Sequence, residues 1–184
     1  SAAQSAWGVR GAKDLATWVA ERDKFLPNGS LTAHHIDSHD TFWWPSWGKK
    51  WRREQFDITK VKLLTLIFGS LPGPFMMFSG GEIGIEQLLP KLASVKRSKI
   101  WLTGEITWWT SSNYPDGLFA ISRKIDKKVS ASLVNFTDKE LVIKNDENYQ
   151  LKSVQLQIGD QITIDSLAIK LPPFTGAVVE VEIG

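Results

Sequence analysis

Apolar and polar positions fall into two textures that meet near residue 100. Within residues 12–26, Leu15, Trp18, Val19, Phe25 and Leu26 are spaced so as to lay one apolar stripe along a helix. Pro27-Asn28-Gly29 stops that pattern and turns the chain. Residues 31–36 run apolar and polar in a mixture that predicts a strand. Ile58, Val61, Leu64 and Phe68 predict a second helix over residues 52–71, ended by Gly69-Ser70-Leu71-Pro72-Gly73. Phe75-Met76-Met77-Phe78 is a short continuous apolar run, as in a strand covered on both faces. The loop Gly80-Gly81-Glu82-Ile83-Gly84 and a weaker helix over residues 86–99 follow. The alternation of helix and strand predicts an α/β layer with parallel strands for residues 1–99.

From residue 100 the period changes to two. Residues 101–109, 118–125, 129–135, 140–144, 151–158, 161–164, 167–171 and 177–183 alternate or are rich in β-branched side chains. Turn signals separate them, among them Asn113-Tyr114-Pro115-Asp116-Gly117, Asp126-Lys127-Lys128 and Gly159-Asp160. Residues 100–184 therefore predict an antiparallel β-sandwich.

Composition narrows the field. The chain has 184 residues, 42% hydrophobic and 23% charged, with net charge +2 and no cysteine. A disulfide scaffold and a thiolate metal site are excluded, and the small charge gives no case for a nucleic-acid partner. The most apolar stretch, residues 61–74, is broken by Lys62, Gly69, Ser70, Pro72 and Gly73, so no membrane span is expected. Ser1-Ala2-Ala3-Gln4-Ser5 has neither the basic nor the apolar segment of a signal peptide.

All three histidines lie within His34-His35-Ile36-Asp37-Ser38-His39-Asp40, and Thr41-Phe42-Trp43-Trp44-Pro45-Ser46-Trp47 follows at once. A strand end that opens into an aromatic loop suits the gripping of a sugar ring and the steadying of positive charge. Trp43 and Trp44 follow Asp40 closely enough to line a subsite, with loop packing the alternative, whereas Trp47 and Trp51 are expected to pack. His35, Asp37 and His39 alternate, so on a strand they share a face and form a rival set that can hold zinc. Glu82 either faces the cleft or pins a loop by pairing with an arginine. Lys49-Lys50 and Arg52-Arg53 read as a solvated helix start. Trp101, Trp108 and Trp109 read as sandwich core, or, if Trp108 and Trp109 are exposed, as a glucan-binding pair.

Three stretches in order resemble the C-terminal part of the alpha-amylase superfamily, glycoside hydrolase family 13. His35-Ile36-Asp37-Ser38-His39-Asp40 is similar to the family's Phe-x-x-Asn-His-Asp at the end of the seventh barrel strand. Pro72-Gly73-Pro74-Phe75-Met76-Met77-Phe78-Ser79-Gly80-Gly81-Glu82-Ile83-Gly84 is similar to Pro-Gly-x-Pro-x-x-Tyr-x-Gly-x-Glu-x-Gly around the eighth. Lys96-Arg97, Gly104, Phe119-Ala120-Ile121-Ser122-Arg123 and Ser132-Leu133-Val134-Asn135-Phe136 resemble the junction to the family's β domain and its first strands. His35 and Ser38 stand where the family has Phe and Asn, Phe75 replaces the second proline and Phe78 the tyrosine.

The resemblance implies the end of a (β/α)8 TIM barrel followed by an antiparallel β domain. It implies that Asp40 is the transition-state-stabilising carboxylate, with His39 donating a hydrogen bond to the same sugar. The family's nucleophile motif, Gly-x-Arg-x-Asp, has no match; Gly8-Val9-Arg10-Gly11-Ala12 carries alanine at the aspartate position. The expected substrate is an α-glucan or malto-oligosaccharide, with no cofactor and no assigned metal, and the chain alone is expected to be inactive. A partner-half or carbohydrate-binding module is the alternative, with self-association or a missing N-terminal half as the expected protein partner.

Overall fold

The computed structural model describes residues 11–38 and 51–184. Helix α1, Ala12–Asp23, buries Ala16 and Val19. It ends before the predicted limit because Pro27 disfavours helical backbone just ahead of it, and the Phe25 ring, 85% exposed, finds no core to extend the stripe. The predicted helix over residues 52–71 is two helices, α2 at Arg52–Gln55 and α3 at Ile58–Ser70. Phe56 is extended, and the Asp57 carboxylate accepts the Lys60 N–H at 3.0 Å, an N-cap that starts a fresh helix where the pattern ran on. Helix α4, Leu88–Arg97, packs so tightly on α3 that a Cβ at Gly69 would collide with the Leu92 side chain.

A fifth helix was not expected. Residues 101–109 were predicted as strand, but Lys99–Thr103 forms α5 and strand β1 begins only at Glu105, running to Trp108. Trp101 sits buried on α5 with its indole N–H donating to Ser130 Oγ at 2.8 Å, so a tertiary partner overrides the local β tendency. The remaining strands are β2 Leu118–Ile125, β3 Lys128–Asn135, β4 Leu141–Lys144, β5 Tyr149–Ile158, β6 Thr163–Ile164, β7 Ala168–Leu171 and β8 Thr175–Ile183. They form a five-stranded sheet in the order β1-β2-β3-β8-β5 and a three-stranded sheet in the order β4-β7-β6, antiparallel throughout.

Two cores lie on opposite faces of the larger sheet. Phe119, Ile121, Val134 and Val178 meet Val61, Leu66, Leu92 and the other apolar side chains of the helices. Leu118, Ala120, Leu133, Ala177 and Val179 face the small sheet and its Ile143, Ile169 and Leu171. The strict alternation along β2 puts both sets on one strand. Ser70 Oγ donates to Ser132 Oγ at 2.8 Å, tying α3 to β3 through a buried pair.

The two predicted parallel strands are reduced to a single bridge. Residues 31–36 and 75–78 meet only at His34 and Phe75, in parallel. Parallel pairing joins segments distant in sequence, and neither segment has a second described neighbour to extend its ladder.

Candidate functional site

The bridge fixes the point from which the histidine-aspartate run departs. The His34 N–H donates to Pro74 O at 2.8 Å, and the Met76 N–H donates to His34 O at 2.7 Å. The buried imidazole adds a third tie, with Nε2 2.9 Å from Pro72 O. A carbonyl only accepts, so Nε2 carries the proton. Burial favours the neutral ring and pulls the imidazole below its usual pKa, outweighing the hydrogen bond to Pro72 O, which pulls the other way. Gly73 completes the fit: its φ is +101°, and a Cβ there would run into Thr32 O. From the other side, Lys96 Nζ donates to Leu71 O at 2.9 Å and to Gly73 O at 2.8 Å. The turn over residues 71–74 is therefore held by a neutral imidazole and an ammonium.

Past the bridge, Asp37 is buried with 4% exposure. Its Oδ1 accepts the Arg52 N–H at 3.0 Å, satisfying the first donor of α2, which its own N-cap residue leaves open. Arg52 Nε donates back to Ile36 O at 3.2 Å. Burial raises the Asp37 pKa, while the Arg52 N–H and the charges of Arg52, Arg53 and His35 pull it down by less. Gly81 packs against this carboxylate, an ideal Cβ there lying 3.6 Å from Oδ2.

Arg53 and Glu82 then secure the glycine loop. Arg53 Nη1 donates to Gly80 O at 2.6 Å, and Glu82 Oε2 accepts the Gly80 N–H at 2.7 Å. The guanidinium carbon stands 4.5 Å from the centre of the Trp51 ring, which lies 5.7 Å from Phe78. Arg52 and Arg53, expected to be a solvated helix start, are instead partly buried links between the strand end and the loop. Their signal was available: two arginines beside a run of acidic and glycine-rich segments have carbonyls and carboxylates to pair with.

Of the predicted site residues, Glu82 accepts the Gly80 N–H of its own loop, a backbone partner where an arginine was expected. His39, Asp40, Trp43 and Trp44 lie outside the described residues, as does Trp47. His35 is exposed and Asp37 buried, and no cluster of three metal-ligating side chains occurs among the described residues. Trp51 packs, as expected. Trp108 and Trp109 point to opposite faces of β1 and its extension: Trp108 joins the helix-side core, and Trp109 is buried between the sheets. Trp109 stacks with Tyr114 at 5.3 Å and Tyr149 at 5.9 Å, and its N–H donates to Ser122 Oγ at 3.1 Å. A cavity of about 170 Å³ opens beside the clamped turn, lined by Asp23, Leu26, Asn28, Leu31 and Pro72 among others, and a groove of about 780 Å³ runs over the β2–β3 hairpin. Asp37 and Glu82 line neither.

No protein-family model and no curated protein matches this sequence. Solved structures do. An Anoxybacillus alpha-amylase superposes with a TM-score of 0.70 at 16% identity, over 95% of this chain and 44% of the other. The alpha-amylase of Geobacillus thermoleovorans, solved with acarbose, gives 0.68 at 18% identity over 92% and 43%. A debranching enzyme of Nostoc punctiforme, soaked with acarbose, gives 0.66 at 17% identity over 92% and 38%. The chain thus has a fold found in alpha-amylase-type enzymes and spans less than half the length of these structures.

Proposed function

We propose that this chain is the C-terminal part of a retaining, α-glucan-active glycosidase of the alpha-amylase type: residues 1–99 the end of a (β/α)8 barrel, residues 100–184 its β domain. The observation that supports it best is the coincidence of two independent likenesses. The motifs around Asp40 and around Gly80–Gly84 occur in the family's order, and the fold agrees with amylase-type structures over 95% of the chain.

In this proposal the His34–Phe75 bridge stands for neighbouring barrel strands, and chemistry gathers at the ends of such strands. Retaining hydrolysis needs a nucleophile and an acid whose carboxyl groups are about 5 Å apart, and it passes through an oxocarbenium-like transition state. Asp40 supplies a third, fixed negative charge toward that cation and holds ring hydroxyls; His39 donates to the same sugar. Trp43 and Trp44 offer ring faces to the glucan. Preorganised charge of this kind lowers the barrier only when the bond-breaking pair is present. The chain alone lacks that pair and is inactive, and an N-terminal half completes it.

The test has two arms. The purified chain releases no reducing sugar from starch or malto-oligosaccharides. The intact enzyme, expressed from the coding sequence continued upstream, does so, and Asp40→Asn in that enzyme lowers kcat by about 10²–10³. Glucan hydrolysis by the chain alone, or a kcat unchanged by Asp40→Asn, overturns the proposal.

A further inference from the structure

The turn after α1 holds an asparagine whose side chain and following backbone nitrogen are both unengaged. Of Asn28, Asn113, Asn135, Asn145 and Asn148, Asn28 alone precedes a glycine. An asparagine side chain condenses with the backbone nitrogen of the next residue when that nitrogen is free of hydrogen bonds and of side-chain bulk. After three of the others the nitrogen is tied. The Tyr114 N–H donates to Ser111 O at 3.1 Å, the Phe136 N–H to Gly117 O at 3.1 Å and the Tyr149 N–H to Asn145 Oδ1 at 2.8 Å. Asn145 is buried, and its Nδ2 donates to Tyr149 O at 3.0 Å and to Asp165 O at 2.6 Å. Its side chain is therefore held where it cannot swing onto the backbone.

Asn28 differs on every count. It and Gly29 are exposed, and neither the Asn28 amide nor the Gly29 N–H has a hydrogen-bond partner among the described residues. One bond closes the turn, from the Ser30 N–H to Pro27 O at 3.0 Å. Gly29 has φ +82°, and a Cβ built there meets nothing within 4 Å. The peptide between Asn28 and Gly29 can thus rotate out of the turn, at the loss of that one bond and without a collision. Both residues line the cavity of about 170 Å³ beside the clamped turn, which leaves space for the side chain to fold back and for water to enter.

We propose that Asn28 is a site of spontaneous covalent modification, converting to aspartate and isoaspartate in the folded chain. The Gly29 nitrogen, deprotonated by hydroxide, attacks Asn28 Cγ. The N–Cγ bond forms, the Cγ–Nδ2 bond breaks, and Nδ2 leaves as ammonia, giving a cyclic succinimide. Water then opens the ring. Cleavage at Cγ restores the main chain with an aspartate, and cleavage at the backbone carbonyl carbon leaves an isoaspartate, whose main chain runs through the side-chain methylene. The sum is one water consumed and one ammonia released, with no oxidant or reductant. The product adds a carboxylate to a cavity that Asp23 already lines, and takes one unit from the formal net charge of +2. The isoaspartate also lengthens the link between α1 and the His34 bridge. This site stands independently of the glycosidase proposal, since it uses neither His39 nor Asp40.

The experiment incubates the purified chain at pH 9 and at pH 6, cleaves it in mild acid with a lysine-specific protease and separates the peptides for mass spectrometry. The peptide of residues 25–49 contains Asn28 and no other asparagine. It is expected to lose its amide, faster at pH 9, as two separable products that share the mass of the acid, one of them labelled by an isoaspartate-specific methyltransferase. The peptides that hold the other asparagines keep their amides over the same time. Asn28→Gln, whose longer side chain would have to close a less favoured ring, keeps its amide too. A parallel sample unfolded in urea sets the time over which the folded chain is judged. A folded chain still wholly amidated at Asn28 once the unfolded sample has converted overturns the proposal, as does any other asparagine converting first.

Discussion

Replacing Gly73 by alanine tests whether the clamped turn positions the strand ends. Gly73 has φ +101°, where an L side chain is strained, and its would-be Cβ overlaps Thr32 O. The strain is worth about 1–2 kcal/mol, and forcing atoms into a packed contact adds about 1–3 kcal/mol. Thr32 cannot retreat freely, because His34 two residues on is held to Pro72 O, Pro74 O and the Met76 N–H. Together Gly73→Ala destabilises by about 2–5 kcal/mol, a fall in Tm of roughly 4–20 °C for a chain of this size. Gly29 provides the control, with φ +82° and nothing within 4 Å of its would-be Cβ. Gly29→Ala meets the strain alone, about 1–2 kcal/mol. The assay is thermal unfolding by circular dichroism, paired with amide exchange at His34 and Met76. Gly73→Ala should lose Tm beyond Gly29→Ala and lose protection at both amides. Equal Tm losses in the two variants, or unchanged protection, would refute the reasoning.

Three further outcomes follow from the same contacts. Lys96 titrates near 8 when folded and near 10.5 when unfolded, so the unfolded chain binds more protons between those values and stability rises with pH across them; Lys96→Met should lose that rise, read as Tm at pH 8 and pH 10. His34 has a lowered folded pKa, so acid below its ordinary value near 6.5 favours the unfolded chain; His34→Phe should flatten urea midpoints measured from pH 7 to pH 5, while losing about 1 kcal/mol at neutrality with its hydrogen bond. Glu82→Gln keeps an acceptor for the Gly80 N–H and should leave Tm within about 2 °C, whereas Glu82→Ala removes it and costs about 1 kcal/mol in urea unfolding.

The β half was legible because its information is local. Leu118–Ile125 was read to the residue, since period-two alternation and the Asp126-Lys127 turn both lie within one hairpin. Asp126 takes φ +54°, a conformation aspartate tolerates better than most residues. The helical half was less legible, because its decisive partners lie far apart in the chain. Arg52 meets Asp37 across fifteen positions, and His34 meets Pro72 across thirty-eight. Trp101 went to a helix because Ser130 was waiting for its indole N–H, a partner no local pattern announces. The break at Asp57 was visible in principle: Asp three residues before Lys60 is an N-cap signal, and the apolar period across it hid the stop.

The larger sheet is a party wall. Phe119 and Ile121 belong to one side, Leu118 and Ala120 to the other, and the same alternation runs through β3 and β8. Slipping one strand by a residue would exchange its two tenants, so neither side can be rebuilt alone. Stripping away the helices would leave a bare apolar wall of Phe119, Ile121, Val134 and Val178, an invitation to aggregate. A gene cut between the helices and the strands would thus yield two sticky products, and recombination should carry this block from parent to parent undivided.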